Sequence, residues 1–474
     1  MRDLGRKVSR YPNEAGFVAA LVLFEAYLML FRHHELYYDA KQYWGLARNL
    51  EAGGNFSLYQ LTTQLRGYLL PLLNVPLVFL ERTLLTNHGM ALIKSEGALV
   101  AAALFGVAGP RFWQVATGRV VPLGRRLAFI GLGFLFWRDH FGFILSDFPA
   151  LLFLLSGTEL LLGGRHLGRL LLGGIVLAGT IYIRPIYLLS LPLVLLFRLL
   201  KPDPAPAGRQ LAGWVALVAG ALLVAAPQLA INRHNFASAS PLVIYAGGKG
   251  QYTVAGTNNL YLWHLIEGLR IQKYETSVGT DYPKPQVYYL DAAARQALAG
   301  QLAPAIRSYA DYFGLIARQP LDMVALFGRH LFNGLDVLYS SPYVEQVAAP
   351  NNGLALLHYA VFFGALVVGL RQAPRLAPRD WLLVAALVVP VLAAVPLVVE
   401  CRFFISLHLL AYGLVCFGLP HPARWQSLWA ETRQLPLLAA FGLFLLGCVL
   451  ISANTRASLE LPITTTSAGR SAGQ

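Results

Sequence analysis

Just past the first apolar run, the segment Tyr37-Tyr38-Asp39-Ala40-Lys41-Gln42-Tyr43-Trp44-Gly45-Leu46-Ala47-Arg48-Asn49-Leu50 joins an acid to a helical pattern. Tyr43, Ala47 and Leu50 share one helical face, which predicts a helix with Asp39 at or near its N-terminus, where unpaired N–H groups stabilise a carboxylate. Such an aspartate is either a plain N-cap or a carboxylate placed to take a proton from a hydroxyl nucleophile. Asp147 in Ser146-Asp147-Phe148-Pro149 offers the same two readings at the start of another apolar run. Three arginines accompany these acids. Arg66, Arg402 and Arg184 carry the planar, paired N–H donors that suit phosphate oxygens. The plainer alternative is that they snorkel to an interface or pair with Glu400 and Asp147.

The elements that position these residues must lie in a membrane. Of 474 residues 56% are apolar and only 13% charged, with a mean hydropathy of +0.53. A soluble chain carries roughly 25% charge. An ordinary cytosolic enzyme, a disordered chain and a disulfide scaffold are therefore excluded. The apolar residues fall in runs suited to crossing about 30 Å of hydrocarbon as helices, which makes an all-α polytopic membrane protein the expected fold class. The net charge of +14 does not point to nucleic acid, because many basic residues sit in short loops between the apolar runs. Cys401, Cys416 and Cys448 lie in or beside apolar runs without CxxC or zinc spacing, as small packing residues do.

Eleven runs read as spans, near 15–31, 95–110, 127–138, 143–162, 168–183, 186–199, 211–231, 353–370, 381–399, 403–419 and 436–452. The run 67–85 is ambiguous, since it contains Pro71, Asn74, Pro76 and Glu81. Loop charge decides. If 67–85 stays at the surface, eighteen basic residues collect on one side, in the N-terminus and in 109–126, 163–169, 198–209, 371–379 and 421–434. The short connections opposite hold Arg138, Arg184 and Arg402. If 67–85 crosses, the asymmetry collapses. The expectation is thus eleven spans with a cytosolic N-terminus, and a first span retained rather than cleaved as a signal peptide. Three regions follow: 1–231, a transmembrane module that includes a first external loop at 32–94; 232–352, an external loop domain of α or mixed structure; and 353–474, the last helices and tail.

The Asp-x-x-x-Tyr-x-x-x-Ala-x-x-Leu pattern after a first span resembles the first external loop of GT-C-type glycosyltransferases. The likeness is to the polyprenyl-phosphate-sugar-dependent branch, which includes protein O-mannosyltransferases and lipid A aminoarabinose transferases. Arg66-Gly67-Tyr68-Leu69-Leu70-Pro71-Leu72-Leu73 resembles that family's surface helix, which independently supports the non-crossing assignment. Ser146-Asp147-Phe148-Pro149 resembles its second acidic position, and Arg184-Pro185 and Glu400-Cys401-Arg402-Phe403-Phe404 follow in the family's order. The resemblance covers most of 15–420 and is weaker in 232–352. It implies a GT-C-like bundle, a polyprenyl-phosphate-linked sugar as donor, and a lipid, glycan or protein as acceptor, at a site on the non-cytosolic face of what family prevalence makes a bacterial plasma membrane. Tyr38 stands before Asp39 where many relatives carry a second acid, a departure that puts a metal-binding pair at this loop in doubt; a divalent cation stays open.

On this reading Asp39 and Asp147 are the catalytic carboxylates. Arg66, Arg402 and Arg184 bind the donor phosphate, with Glu400, Tyr43 and Tyr68 in support. All the charged members fall on the non-cytosolic side, where they avoid the about 2.5–3.5 kcal/mol cost of a charge at mid-membrane. Asp39 would deprotonate an acceptor hydroxyl in a single displacement that inverts the anomeric centre. Two rivals stand beside this reading: an O-antigen-type ligase or polymerase using diphosphate-linked glycans, and a lipid or sugar transporter. Glu25, Lys94 and Glu96 are intramembrane ionisable groups, functional candidates by default, and the plainer alternative for Glu25 is a pairing with an arginine in a neighbouring helix. Gly247-Gly248-Lys249-Gly250 lacks the spacing of a phosphate loop, His33, His34 and His264 lack metal spacing, and Asn55-Phe56-Ser57 is a glycosylation sequon that matters only in a secretory host.

Overall fold

The computed structural model describes residues 11–31, 35–63, 65–86, 88–164, 166–201, 205–243, 253–254, 257–278, 287–297, 306–344, 350–418 and 434–457. The basic N-terminus, His33, His34 and residues 247–250 lie outside them. Among the described residues six helices are long and apolar enough to cross a membrane: Pro12–Leu30, Gly89–Thr117, Ala207–Phe236, Asn352–Arg375, Cys401–Gly418 and Leu435–Ala457. They fit an all-α integral membrane protein. The other five apolar runs also form helices but shorter ones, Leu123–Trp137, Asp147–Leu162, Leu167–Ile183, Pro185–Leu200 and Trp381–Ala394. At 1.5 Å per residue, helices of this size reach only about 21–26 Å.

The chain forms two compact units. The first comprises Met1–Ile244, Ala365–Pro390 and Ile405–Leu419; the second comprises Tyr245–Gly364, Val391–Phe404 and Pro420–Gln474. In the first unit the helices are α1 (Pro12–Leu30), α2 (Tyr38–Glu51), α3 (Leu69–Thr83), α4 (Gly89–Thr117), α5 (Leu123–Trp137), α6 (Asp147–Leu162), α7 (Leu167–Ile183), α8 (Leu191–Leu200) and α9 (Ala207–Phe236). Small residues set their close crossings, as expected where lipid offers no hydrophobic drive between helices. A Cβ on Gly16 would stand 2.8 Å from the Gly106 carbonyl oxygen, and one on Gly106 would stand 2.7 Å from that of Gly16. Gly174 and Gly220 seat α7 and α9 against each other in the same way, through the Leu217 and Leu171 carbonyls.

Helix α4 loosens into a π-helical stretch over Ala102–Ala108. Pro110 explains it. Proline has no N–H for the carbonyl four residues back, Gly106, so the ladder slips there. The freed Gly106 carbonyl accepts from Nη1 of the fully buried Arg126 at 3.3 Å, while Nε of Arg126 donates to the Val121 carbonyl at 3.1 Å.

The run 67–85 becomes α3, an amphipathic helix that buries Leu70, Pro71, Asn74 and Val78. It lies along α2, held by Arg48–Glu81 at 2.9 Å and Arg82–Glu51 at 2.7 Å. Both helices are therefore laid side by side between the end of α1 and the start of α4.

The second unit mixes helix and short strand. Its elements are β1 (Thr253–Val254), β2 (Thr257–Asn258), α10 (Leu260–Gly268), β3 (Ile271–Ser277), β4 (Val287–Leu290), α11 (Ala292–Ala297), α12 (Tyr309–Arg318), α13 (Pro320–Leu335) and β5 (Tyr343–Val344). Strand β3 is central, antiparallel to β4 and parallel to β5, and β1 pairs with β2 antiparallel. Leu262, Leu265, Leu269, Tyr312, Met323 and Leu326 form the core. Helix α14 (Asn352–Gln372) leaves this unit for the first, α15 (Trp381–Ala394) returns from it, α16 (Ile405–Gly418) belongs to the first, and α17 (Gln434–Ala457) to the second.

Candidate functional site

Asp39 is the second residue of α2, as its spacing predicts, and Tyr43, Ala47 and Leu50 are all buried on one face. The residue before it, Tyr38, has φ of 39°, in the left-handed region that a side chain with a Cβ enters only at a cost. The helix thus starts abruptly, with backbone strain beside the acid.

Asp39 is not a bare N-cap. Its Oδ1 stands 2.6 Å from Nη2 of Arg66, which arrives from the segment leading into α3. Arg66 also donates Nε to Gln42 Oε1 at 3.2 Å and Nη1 to the Tyr43 hydroxyl at 3.4 Å, and its guanidinium lies 5.1 Å from the Tyr43 ring centre. Positions 39, 42 and 43 are i, i+3 and i+4, the spacing that puts three side chains on one helical face. Tyr43 is closed from solvent, whereas the Asp39 and Arg66 side chains keep 31% and 25% of their exposure. The pair is therefore positioned yet open to a ligand. Gln42 escaped the sequence reading, although its i+3 relation to Asp39 was the available signal.

The second acid also meets an arginine. Asp147 opens α6 and forms an ion pair with Arg184, the C-cap of α7; Arg184 further donates to Ser146 Oγ at 3.3 Å. The Asp147 side chain is 1% exposed and that of Arg184 18%. Of this pair only the arginine can meet a ligand.

Packing draws these two pairs toward one end of the first unit. Gly67, next to Arg66, lies so close to Tyr182 that an added Cβ would be 2.0 Å from its carbonyl oxygen. Tyr182 is two residues before Arg184. On the other flank the Tyr37 and Phe143 rings are 6.3 Å apart, linking the start of α2 to the loop before Asp147. Tyr68 is a support for this arrangement. It is 3% exposed, its hydroxyl donates to the Val224 carbonyl at 2.9 Å, its N–H donates to Gln228, and its ring lies 5.6 Å from Tyr182. Burial, and then Tyr182, raise its hydroxyl well above the ordinary phenol range.

The first unit holds further ionisable groups, of which Asp139 was not named from the sequence. Asp139, 6% exposed, accepts from the Tyr27 hydroxyl and lies 3.9 Å from Arg138, which stacks over the Tyr27 ring. Lys94 donates to the Phe31 carbonyl at 2.8 Å, closing the C-terminus of α1. Glu25, for which pairing with an arginine was the plainer alternative, accepts from Ser95 Oγ of α4 at 2.7 Å. At the far end of α6, Glu159 is clamped by Arg111 at 2.8 Å and Arg169 at 2.7 Å.

Glu400 and Arg402 belong to the second unit and pair with each other, Nε to Oε2 at 2.5 Å and Nη2 to Oε1 at 3.2 Å. This two-point contact is the pairing that the plainer alternative anticipates. Among the described residues no three His, Cys, Asp or Glu side chains converge as a metal-ligand set. No protein-family model, curated protein or solved structure matches the chain.

Proposed function

We propose that the protein is a GT-C-type glycosyltransferase that moves one sugar from a polyprenyl-phosphate carrier to an acceptor hydroxyl on the non-cytosolic face of a membrane. The observation that carries this reading is the Asp39–Arg66 contact, a half-buried carboxylate and a half-buried guanidinium 2.6 Å apart in an apolar helical unit. A lipid-phosphate donor needs a cation at headgroup level, and a hydroxyl nucleophile needs a base beside it.

In the proposed arrangement the five shorter helices cross with the six longer ones, tilted or in locally thinned bilayer, giving eleven spans. Helices α2 and α3 lie at the outer surface, the N-terminus is cytosolic, and residues 232–352 supply an external loop domain. Glu159, Arg111 and Arg169 then face the cytosol, in keeping with the loop charge. The membrane is the plasma membrane of a bacterium.

The chemistry is a single displacement. Asp39 takes the acceptor's proton as the acceptor oxygen bonds to the anomeric carbon; the bond from that carbon to the phosphate oxygen breaks, and the phosphate leaves with the electron pair. Arg66 holds the Asp39 carboxylate in place and shares its planar fork with the phosphate oxygens, with Arg184 as the second cation. Asp147 is too buried to meet a substrate and serves as the anchor of Arg184. Arg402 lies in the second unit, where Glu400 holds it, and is not part of this proposed site.

The test is incubation of the purified protein with a panel of polyprenyl-phosphate monosaccharides, with mass analysis of the products. Transfer is expected with a monophosphate-linked sugar. Asp39→Asn should keep the fold and donor binding and lose about 10²–10⁴-fold in rate, the usual worth of a general base. Full activity in that variant would sink the proposal.

A further inference from the structure

At the end of α6 remote from Asp147, two guanidinium groups share one carboxylate oxygen. Nη2 of Arg111, on α4, lies 2.8 Å from Glu159 Oε1, and Nη2 of Arg169, on α7, lies 2.7 Å from the same atom. Arg169 is fixed. Its Nε donates to the Leu160 carbonyl at 3.2 Å and its Nη2 to that of Glu159 at 3.3 Å, so it also closes the C-terminus of α6. Gly163 and Gly164 leave room for it, since a Cβ on the first would stand 2.4 Å from Nη2 and one on the second 2.6 Å from Cδ. Arg111 differs. Its side chain is 40% exposed, only Nη2 is engaged, and its remaining N–H donors have no acceptor among the described residues. The buried Arg126 adds a third guanidinium within electrostatic reach of Arg111, and its own bonds go to carbonyls rather than to an acid. The other acid near Arg126 is Glu14, exposed on α1.

Two like charges on one carboxylate leave the cluster cationic, and they repel each other across it. A second anion with several acceptor oxygens relieves both effects. Phosphate is that anion, because its oxygens match the parallel donors of a guanidinium. The position of the cluster selects what carries the phosphate. Arg111 lies near the C-terminal end of α4, a helix long and apolar enough to cross a membrane, and such an end meets lipid headgroups. Leu127 and Leu167, near these arginines in the chain, are exposed, as residues that meet acyl chains are. We propose that Arg111, Glu159 and Arg169 form a binding site for the phosphate diester of an anionic phospholipid. Arg111 is the donor that the lipid engages, and Arg169 is the fixed second cation. Glu159 holds the two arginines together and competes with the lipid for them. The site is separate from Asp39 and Arg66, and it does not depend on the glycosyltransferase reading.

The test titrates short-chain phosphatidylglycerol into purified full-length protein in a neutral detergent. Binding is followed by the rise in unfolding midpoint, because a ligand that binds only the folded state stabilises it. Phosphatidylcholine of the same chain length is the comparison, since it has the same phosphate diester and no net charge. Phosphatidylglycerol should raise the midpoint more. Arg111→Gln should weaken its apparent affinity by about fivefold, the loss expected for one partly exposed charge-assisted contact. Arg119→Gln removes the same charge from an exposed side chain outside the cluster, and should change the affinity by no more than about twofold because solvent and salt screen it. Glu159→Gln removes the competing carboxylate and should tighten binding by about twofold or more. A carboxylate that merely locks two helices together would lower stability in that variant and leave the affinity unchanged. Equal shifts by the two lipids, equal losses in Arg111→Gln and Arg119→Gln, or unchanged or weaker binding in Glu159→Gln would each overturn the proposal. Should Glu159→Gln not fold, the two arginine variants decide. Glycerol 3-phosphate at the same concentration should give no shift. A shift as large as that of phosphatidylglycerol would make this a site for a soluble phosphate and overturn the lipid assignment.

Discussion

Arg66 shows how much geometry one side chain carries. Its fork reaches Asp39, Gln42 and the Tyr43 hydroxyl while its face lies over the Tyr43 ring, a combination open to a planar guanidinium and closed to an ammonium. The pair is about a quarter to a third exposed, so its contribution to stability is at most about 1 kcal/mol. Stability and activity should therefore respond differently. Arg66→Lys keeps the charge and loses the fork that joins Asp39, Gln42 and Tyr43. We expect its unfolding midpoint to stay within a few degrees of wild type while kcat/KM for sugar transfer falls at least tenfold, equivalent to about 1.4 kcal/mol of transition-state stabilisation. Unchanged kcat/KM in Arg66→Lys would mean that charge alone suffices and that the fork has no role.

At the level of elements, the site depends on α2, α3 and α7 meeting closely, and Gly67 is the tightest point of that meeting. An added Cβ would be 2.0 Å from the Tyr182 carbonyl oxygen and 2.6 Å from its carbon. Backbone cannot swing aside as a side-chain tip can, so Gly67→Ala should force α3 away from α7 and destabilise the protein by about 1–3 kcal/mol. Because Gly67 adjoins Arg66, the same shift should lower transfer. Gly45, within α2, is the matched control: nothing lies within 4 Å of its would-be Cβ. Gly45→Ala should stabilise by up to about 1 kcal/mol through helix propensity alone. Thermal or denaturant unfolding of the two variants, in opposite directions, checks both; a neutral Gly67→Ala would show that the α3–α7 contact is slack.

For the molecule as a whole, legibility followed the range of the interaction. The six long apolar helices and the helix carrying Asp39 were readable because hydrophobicity and i, i+3, i+4 spacing are local signals. The π turn in α4 was implicit in Pro110 but needed Arg126 to be visible as its partner. That Asp147 and Glu400 take arginines was anticipated, but the partner of Asp39 was not readable, because Asp39 and Arg66 lie in separate elements; Asp147 meets Arg184 because α6 and α7 fold back as a hairpin. The strands β3 to β5 were hidden too, since β3 finds β5 more than sixty residues on.

The second unit supplies a global property that no local pattern announced. His330 on α13 is fully buried, with Nδ1 2.9 Å from the Val395 carbonyl. Burial lowers its pKa below the ordinary 6.5, outweighing the carbonyl and the Asp291 carboxylate, which act the other way. In the folded state the ring thus stays neutral at a pH where the unfolded chain binds a proton. The unfolded state then holds more protons, so stability rises with pH across this window. The contribution is complete above about pH 6.5 and is lost as pH falls toward the lowered value. We expect the unfolding midpoint to drop between pH 7.5 and pH 5, and the drop to shrink in His330→Asn, whose amide can still donate to Val395 but cannot titrate. Carboxylates elsewhere add their own acid response, so the measured quantity is the difference between wild type and variant at each pH. If the two midpoints run parallel from pH 7.5 to pH 5, His330 titrates alike in both states and its burial has no bearing on acid stability.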